Sequence, residues 1–160
     1  MRPLHSLCPE SLLALRLLIV SLTIVGLTLP FVSNAQSLPE NPLPPCPDTP
    51  NCERTARPYE IPPDTLFVAA QRALEALGPV TLRLPDSPSG RRAEAVYRVA
   101  LVFKDDVDVA VRTRDDGGSV LYVRSASRVG HSDLGVNRRR VRNLLETMEK
   151  ILHENRSQTQ

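Results

Sequence analysis

The chain of 160 residues has no tryptophan, three phenylalanines and three tyrosines. Proteins that grip single-stranded or looped nucleic acid stack bases on aromatic side chains, and the supply here is too thin for such a platform. A formal net charge of +2 cannot provide the basic footprint that binding to a phosphate backbone requires. Nucleic acid is therefore excluded as an expected partner. Three histidines and three cysteines, widely spread, leave no convincing ligand set, so neither metal nor cofactor is expected. No repeat at a solenoid period occurs. The length sets a ceiling of one domain.

One long apolar run is present. Arg2 and Arg16 precede an uncharged stretch over 17–32, and Ser33-Asn34-Ala35 places small residues where an export signal is cut. Residues 1–35 therefore read as a signal peptide cleaved after Ala35, giving a periplasmic or secreted protein. The alternative is a retained anchor holding the domain on the periplasmic side, and only then does a membrane enter. Export would remove Cys8 and leave Cys46 and Cys52, an even pair in an oxidising compartment, which reads as a disulfide. Their spacing fits neither haem attachment nor a redox Cys-x-x-Cys.

Prolines are abundant, and they cluster. Of 15 in the chain, nine fall between Pro39 and Pro63. Such a segment is expected to be extended or turning, neither helix nor central strand. It forms an approach over 36–62 to a single domain over 63–155, with a disordered tail at 156–160. Within the domain, Leu66, Phe67, Ala70, Ala73, Leu74 and Leu77 recur at helical spacing after a cap at Asp64 or Thr65, and Gly78-Pro79 stops the helix. Alternation predicts strands over 80–84, 93–103, 107–112 and 119–125, with turns at 86–90, Lys104-Asp105-Asp106 and Asp115-Asp116-Gly117-Gly118. A last helix over 137–154 carries Val141, Leu144, Leu145, Met148, Ile151 and Leu152 as one stripe. The expected fold is α+β, a two-layer sandwich of a four-stranded, mainly antiparallel sheet and two helices in the order α-β-β-β-β-α. The second and fourth strands carry apolar residues at both parities, which reads in three ways: the sheet face away from the helices is partly covered, it is a binding or dimer surface, or the pattern is simple variation on a sheet face.

The stretch over 123–141 holds most of the chemistry. Arg124, Ser125, Ser127, Arg128 and His131 lead through a glycine-bearing turn to Asn137 and Arg138 at a helix start. Small, hydroxylic and basic residues ahead of a helix N-terminus suit an anion. Arg138, Arg139, Arg140 and Arg142 stand where the helix dipole disfavours cations, and a rule broken in this way asks for compensation. Asp105, Asp106 and Asp133 are the expected ion-pair partners, with Arg128 or Arg138 closing on Asp105 or Asp106. Asn137 is expected to cap the helix and His131 to hydrogen-bond the turn.

No catalytic residue is assigned. Ser125 or Ser127 with His131 and Asp133 supplies the types of a nucleophile triad, but all lie around one turn, and a nucleophile elbow is lacking. The preferred reading is an accessory protein without enzymatic activity that recognises an anionic small molecule, a lipid headgroup or an envelope protein through 124–140. A hydrolase using Ser125 or Ser127 with His131, and a structural module binding a partner through the second sheet face, are the alternatives.

At Cys46-Pro-Asp-Thr-Pro-Asn-Cys52, Lys104-Asp105-Asp106-Val107 and the 123–141 stretch, the chain resembles the DUF1499 family of exported bacterial proteins and plastid relatives, a domain of unknown function. The resemblance spans roughly residues 43–153. It implies an export context and no particular activity. Glu53-Arg54-Thr55 depart from the small hydroxylic residues that relatives carry there.

Overall fold

The computed structural model of the protein describes residues 37–158 apart from Ser89 and Leu101. The expected signal segment, 1–35, lies outside the described residues. Seven elements follow one another: β1 (Cys52–Tyr59), α1 (Pro63–Ala76), β2 (Thr81–Arg83), β3 (Arg92–Val99), β4 (Phe103–Thr113), β5 (Ser119–Ser127) and α2 (Val136–Gln158). The strands form one antiparallel sheet in the order β1-β5-β4-β3-β2. Fold class and helix number agree with the sequence reading. The strand count does not, since there are five strands rather than four.

The additional strand comes from the proline-dense approach. Residues 53–57 contain no proline, and Pro58 is tolerated because β1 lies at the sheet edge. The disulfide Cys46–Cys52 closes the loop immediately before it, with a Cα–Cα separation of 5.7 Å. Closing so short a loop stabilises by about 2 kcal/mol through lost chain entropy.

A second correction concerns the middle strands. The run over 93–103 is interrupted after Val99, where Ala100 takes φ 52°, and Lys104-Asp105-Asp106 lie inside β4 instead of forming a turn. Their alternation is that of a strand: Asp105 is buried between two more exposed neighbours. The Asp115–Gly118 hairpin stands where expected, and a Cβ on Gly118 would meet the Tyr59 carbonyl oxygen at 2.8 Å.

Both helices pack on one face of the sheet. Leu66, Ala70, Ala73 and Leu74 of α1 and Val141, Leu144, Met148 and Leu152 of α2 meet Ala95, Val107, Val109, Val111, Leu121 and Val123. Full burial of each large aliphatic side chain contributes roughly 2 kcal/mol. α1 begins at Pro63 without a side-chain cap; Asp64 instead accepts from Arg91 Nε at 2.6 Å. α2 continues past its expected end to Gln158, through part of the tail expected to be disordered.

The apolar residues at the other parity are explained by the approach segment. Leu43 is buried against Ala110, Val120 and Tyr122 on the second face. The Tyr122 hydroxyl donates to the Pro39 carbonyl, and Arg54 Nη2 donates to the Leu43 carbonyl at 2.8 Å. One end of that face is thus covered by the chain itself. Elsewhere it is charged: Arg83, Glu94, Asp108, Arg124 and Arg54 stand in register across all five strands. Among the described residues no helix is long and apolar enough to cross a membrane.

Candidate functional site

Strand alternation divides the 123–141 stretch between two faces. Val123 and Ser125 point to the helices, while Arg124 points away with Asp108. The residues expected to surround one anion therefore do not converge.

On the helix side, Asn137 is the hub. It is 1 % exposed. Its Oδ1 accepts from Ser125 Oγ at 2.5 Å and from Arg140 Nη1 at 3.0 Å. Its Nδ2 faces the Asn51 carbonyl at 2.9 Å, Ser127 Oγ at 2.9 Å and Asp133 Oδ2 at 2.7 Å. Arg140 Nη1 also donates to the buried Asp105 carboxylate at 2.7 Å, and its guanidinium lies 5.2 Å from the Tyr97 ring centre. Burial pushes the Tyr97 phenol up to about 12, against a smaller lowering by Arg140, and the hydroxyl donates to the Leu74 carbonyl at 2.9 Å. Ser125, Ser127, Asn137 and Asp105 are thus occupied by one another, joining β4, β5 and α2 to the residue before Cys52.

Asn137 is not the helix cap. It lies within α2, and the capping contacts come from Asp133, whose carboxylate accepts from the Gly135 amide at 2.9 Å and the Asn137 amide at 2.6 Å. Burial raises the Asp133 pKa, but these two amides and the Asn137 side chain outweigh it and hold the carboxyl below its ordinary value. Asp133 has therefore become a cap and forms no ion pair among the described residues, because its position three residues before α2 aims it at the free amides.

Arg128 lies on the second face. It holds Asp106 through Nε at 3.0 Å and Nη2 at 2.7 Å, a bidentate pair. Arg140, rather than Arg128 or Arg138, takes Asp105. Arg138 is 82 % exposed and only approaches Glu53, at 3.5 Å. Arg124 Nη1 is 3.5 Å from Asp108, while Arg124 Nε and Arg92 Nε are buried without a hydrogen-bond partner among the described residues. Burial raises the Asp108 pKa more than Arg92 and Arg124 lower it. A cavity of about 470 Å³ opens here, lined by Arg83, Lys104, Arg124 and Arg128 as well as Glu94, Asp106 and Asp108. Cations and carboxylates alternate in it and largely neutralise one another.

His131 is exposed and makes no hydrogen bond among the described residues, whereas Ser125 is wholly buried. No contact joins the imidazole to either serine, so the nucleophile–base pair of the hydrolase alternative is not assembled. No group of three His, Cys, Asp or Glu side chains among the described residues is placed to hold a metal.

A different cleft remains open. Between the end of α1 and the start of α2, about 380 Å³ is lined by Gly78, Tyr97, Arg98, Arg139, Arg140 and Asn143, with Leu77, Val80 and Val136. Three of these residues are arginines and none is acidic. Arg140 is committed to Asp105, but Arg139 donates only to the Leu134 carbonyl, at 3.0 Å. Arg98 and Asn143 have no side-chain hydrogen bond or ion pair among the described residues. Sequence reasoning missed Arg98, Asn143 and Asn51. Arg98 comes from β3, remote in sequence from the helix start. The signal for Arg139 and Arg140 was present in their position against the helix dipole.

A family model for a protein of unknown function, DUF1499, matches residues 42–148. No curated protein matches the chain. Among solved structures it is similar to protein CV1439 from Chromobacterium violaceum, at 11% identity, 62% of this chain and 95% of that one, with a TM-score of 0.42. It is also similar to TTHA0849 from Thermus thermophilus, at 12% identity, 62% and 94% coverage and a TM-score of 0.34.

Proposed function

The chain belongs to the DUF1499 family, and we propose that this member is an exported accessory protein that binds an oxyanion, a phosphate or a carboxylate, in the cleft between α1 and α2. The observation that carries this reading is a cleft lined by Arg98, Arg139 and Asn143, with Arg140 at its wall already committed to Asp105, and with no carboxylate in its lining. Cations at the first turn of a helix are disfavoured by its dipole. Asp105 compensates Arg140 and Glu53 approaches Arg138, but Arg139 has no carboxylate within ion-pair distance among the described residues. A bound anion would supply that compensation, and the planar donor fork of arginine matches oxyanion geometry.

The buried network plays a supporting part. By tying Asn137 and Arg140 to β4 and β5, it fixes the first turn of α2, so Arg139 and Asn143 are presented on rigid backbone. The anion-recognising region is thus the outer side of the helix start, with Ser125, Ser127 and Asn137 beneath it as support. Export is favoured by the Cys46–Cys52 disulfide, a bond that persists in oxidising compartments.

Calorimetric titration with inorganic phosphate and with a phosphate monoester tests the reading. The parent protein is expected to bind, with affinity falling as salt is raised. Arg98→Gln and Arg139→Gln are each expected to weaken binding about tenfold, one lost charge-assisted hydrogen bond, with unchanged melting temperature. Absence of binding in the parent, or binding indifferent to both substitutions, overturns it.

A further inference from the structure

At one end of the domain, four large apolar side chains stand in solvent. Val102 is 75 %, Phe103 51 %, Val129 57 % and Leu134 87 % exposed. The fold brings the first three together. Val99 pairs with Phe103 across the β3–β4 turn, and the Arg128 amide donates to the Lys104 carbonyl at 3.1 Å, bringing Val129 beside that turn. Leu134 lies in the loop that carries the chain from β5 to α2. Its φ of 52° is a conformation leucine rarely adopts. A strained backbone that turns a leucine outward costs free energy twice, in conformation and in exposed apolar surface, and such sites cluster where a surface is used.

The charges around these side chains are of one predominant sign. Lys104 and Arg98 are exposed and unpaired among the described residues, and Arg138 and Arg139 project from the helix start. The nearby carboxylates are engaged: Asp106 by Arg128, Asp105 by Arg140, Asp133 by the α2 amides and Glu53 by Arg138, at 3.5 Å. Asp48, in the disulfide loop, is the exception. Protruding apolar tips beside exposed cations, of which Lys104 and Arg98 have no carboxylate partner among the described residues, have the chemistry of a surface that meets anionic headgroups, with apolar groups entering the acyl boundary and cations over the phosphates.

We propose that this loop end docks on a bilayer surface bearing anionic headgroups, with Phe103, Val129 and Leu134 at the interface and Lys104 and Arg138 over the lipid phosphates. This goes beyond anion binding in the cleft and does not require it. The absence of tryptophan allows a direct test on the full chain. Leu134→Trp gives a single reporter on the docking end, and Asp115→Trp gives one on the β4–β5 hairpin at the opposite end. Vesicles of mixed phosphatidylglycerol and phosphatidylcholine are expected to blue-shift the reporter at position 134 and expose it to quenching by brominated acyl chains, leaving that at position 115 unchanged. Lys104→Glu combined with Arg138→Glu is expected to weaken the response about tenfold or more, while phosphate binding in the cleft persists. A reporter at position 134 that does not shift overturns the proposal and leaves the patch as a protein-binding surface. An equal response at both positions, or an equal response to phosphatidylcholine alone, overturns it as well.

Discussion

Asn137 shows how one side chain can hold a site without belonging to it. Wholly buried, it satisfies two serines of β5, the residue before Cys52, Asp133 ahead of α2 and Arg140 on its own helix. Its removal leaves the Ser125 hydroxyl proton without its acceptor, the Asn51 carbonyl with the Ser127 amide alone, and Arg140 without one acceptor, in a low-dielectric interior where each lost partner costs about 1 kcal/mol or more. Asn137→Ala is expected to lower stability by about 3 kcal/mol, measured as a fall in the urea midpoint at constant slope. Arg138→Ala, one residue away and exposed, should change it by less than about 0.5 kcal/mol. The sequence marked Asn137 by its position before a basic helix and read it as a cap. Only the extra residue of helix at its N-terminal side, which moves capping to Asp133, turns it inward. Asn51 gave no such mark, since proline-rich surroundings hide a residue whose partners lie some eighty positions away.

At the scale of elements, the start of α2 carries the account. Four arginines crowd its first turns, and each finds a different solution: a buried carboxylate for Arg140, the half-buried Glu53 for Arg138, the neighbouring Glu146 for Arg142 and a backbone carbonyl for Arg139. Asp133 offsets part of this by accepting from the free amides. Its folded-state pKa is depressed, so its contribution is fully present above the ordinary carboxylate range and is lost as pH falls through the lower, folded-state value. Asp133→Ala is therefore expected to cost about 1 kcal/mol near neutral pH. The difference from the parent should vanish in strongly acid solution, in urea midpoints measured across that range. The helices and the β4–β5 hairpin were legible because apolar periodicity and a Gly-Gly turn report them locally. β1 was not: a seven-residue gap between Pro50 and Pro58 reads as linker, and its partner strand lies about seventy residues further on.

For the whole molecule, the sheet separates two kinds of charge. The second face is a self-neutralising array of arginines and carboxylates, closed at one end by Leu43 and the Tyr122–Pro39 contact. The cleft between the end of α1 and the start of α2 keeps arginines without carboxylates in its lining. Apolar residues at both parities of β5 left three readings for the second face: a partial cover, a binding or dimer surface, or simple variation. Its cover proved to be the chain's own approach segment, a long-range contact that strand alternation cannot indicate. The open arginines became visible only when β3 was placed beside α2. Guanidinium Nε–H resonances resolve the distinction directly during titration with phosphate by nuclear magnetic resonance. The account predicts that Arg98 and Arg139 shift together with one saturation curve while Arg128 and Arg140, held by Asp106 and Asp105, stay in place. Movement of Arg128 or Arg140 without Arg98 and Arg139, or no movement of any of the four, would contradict it.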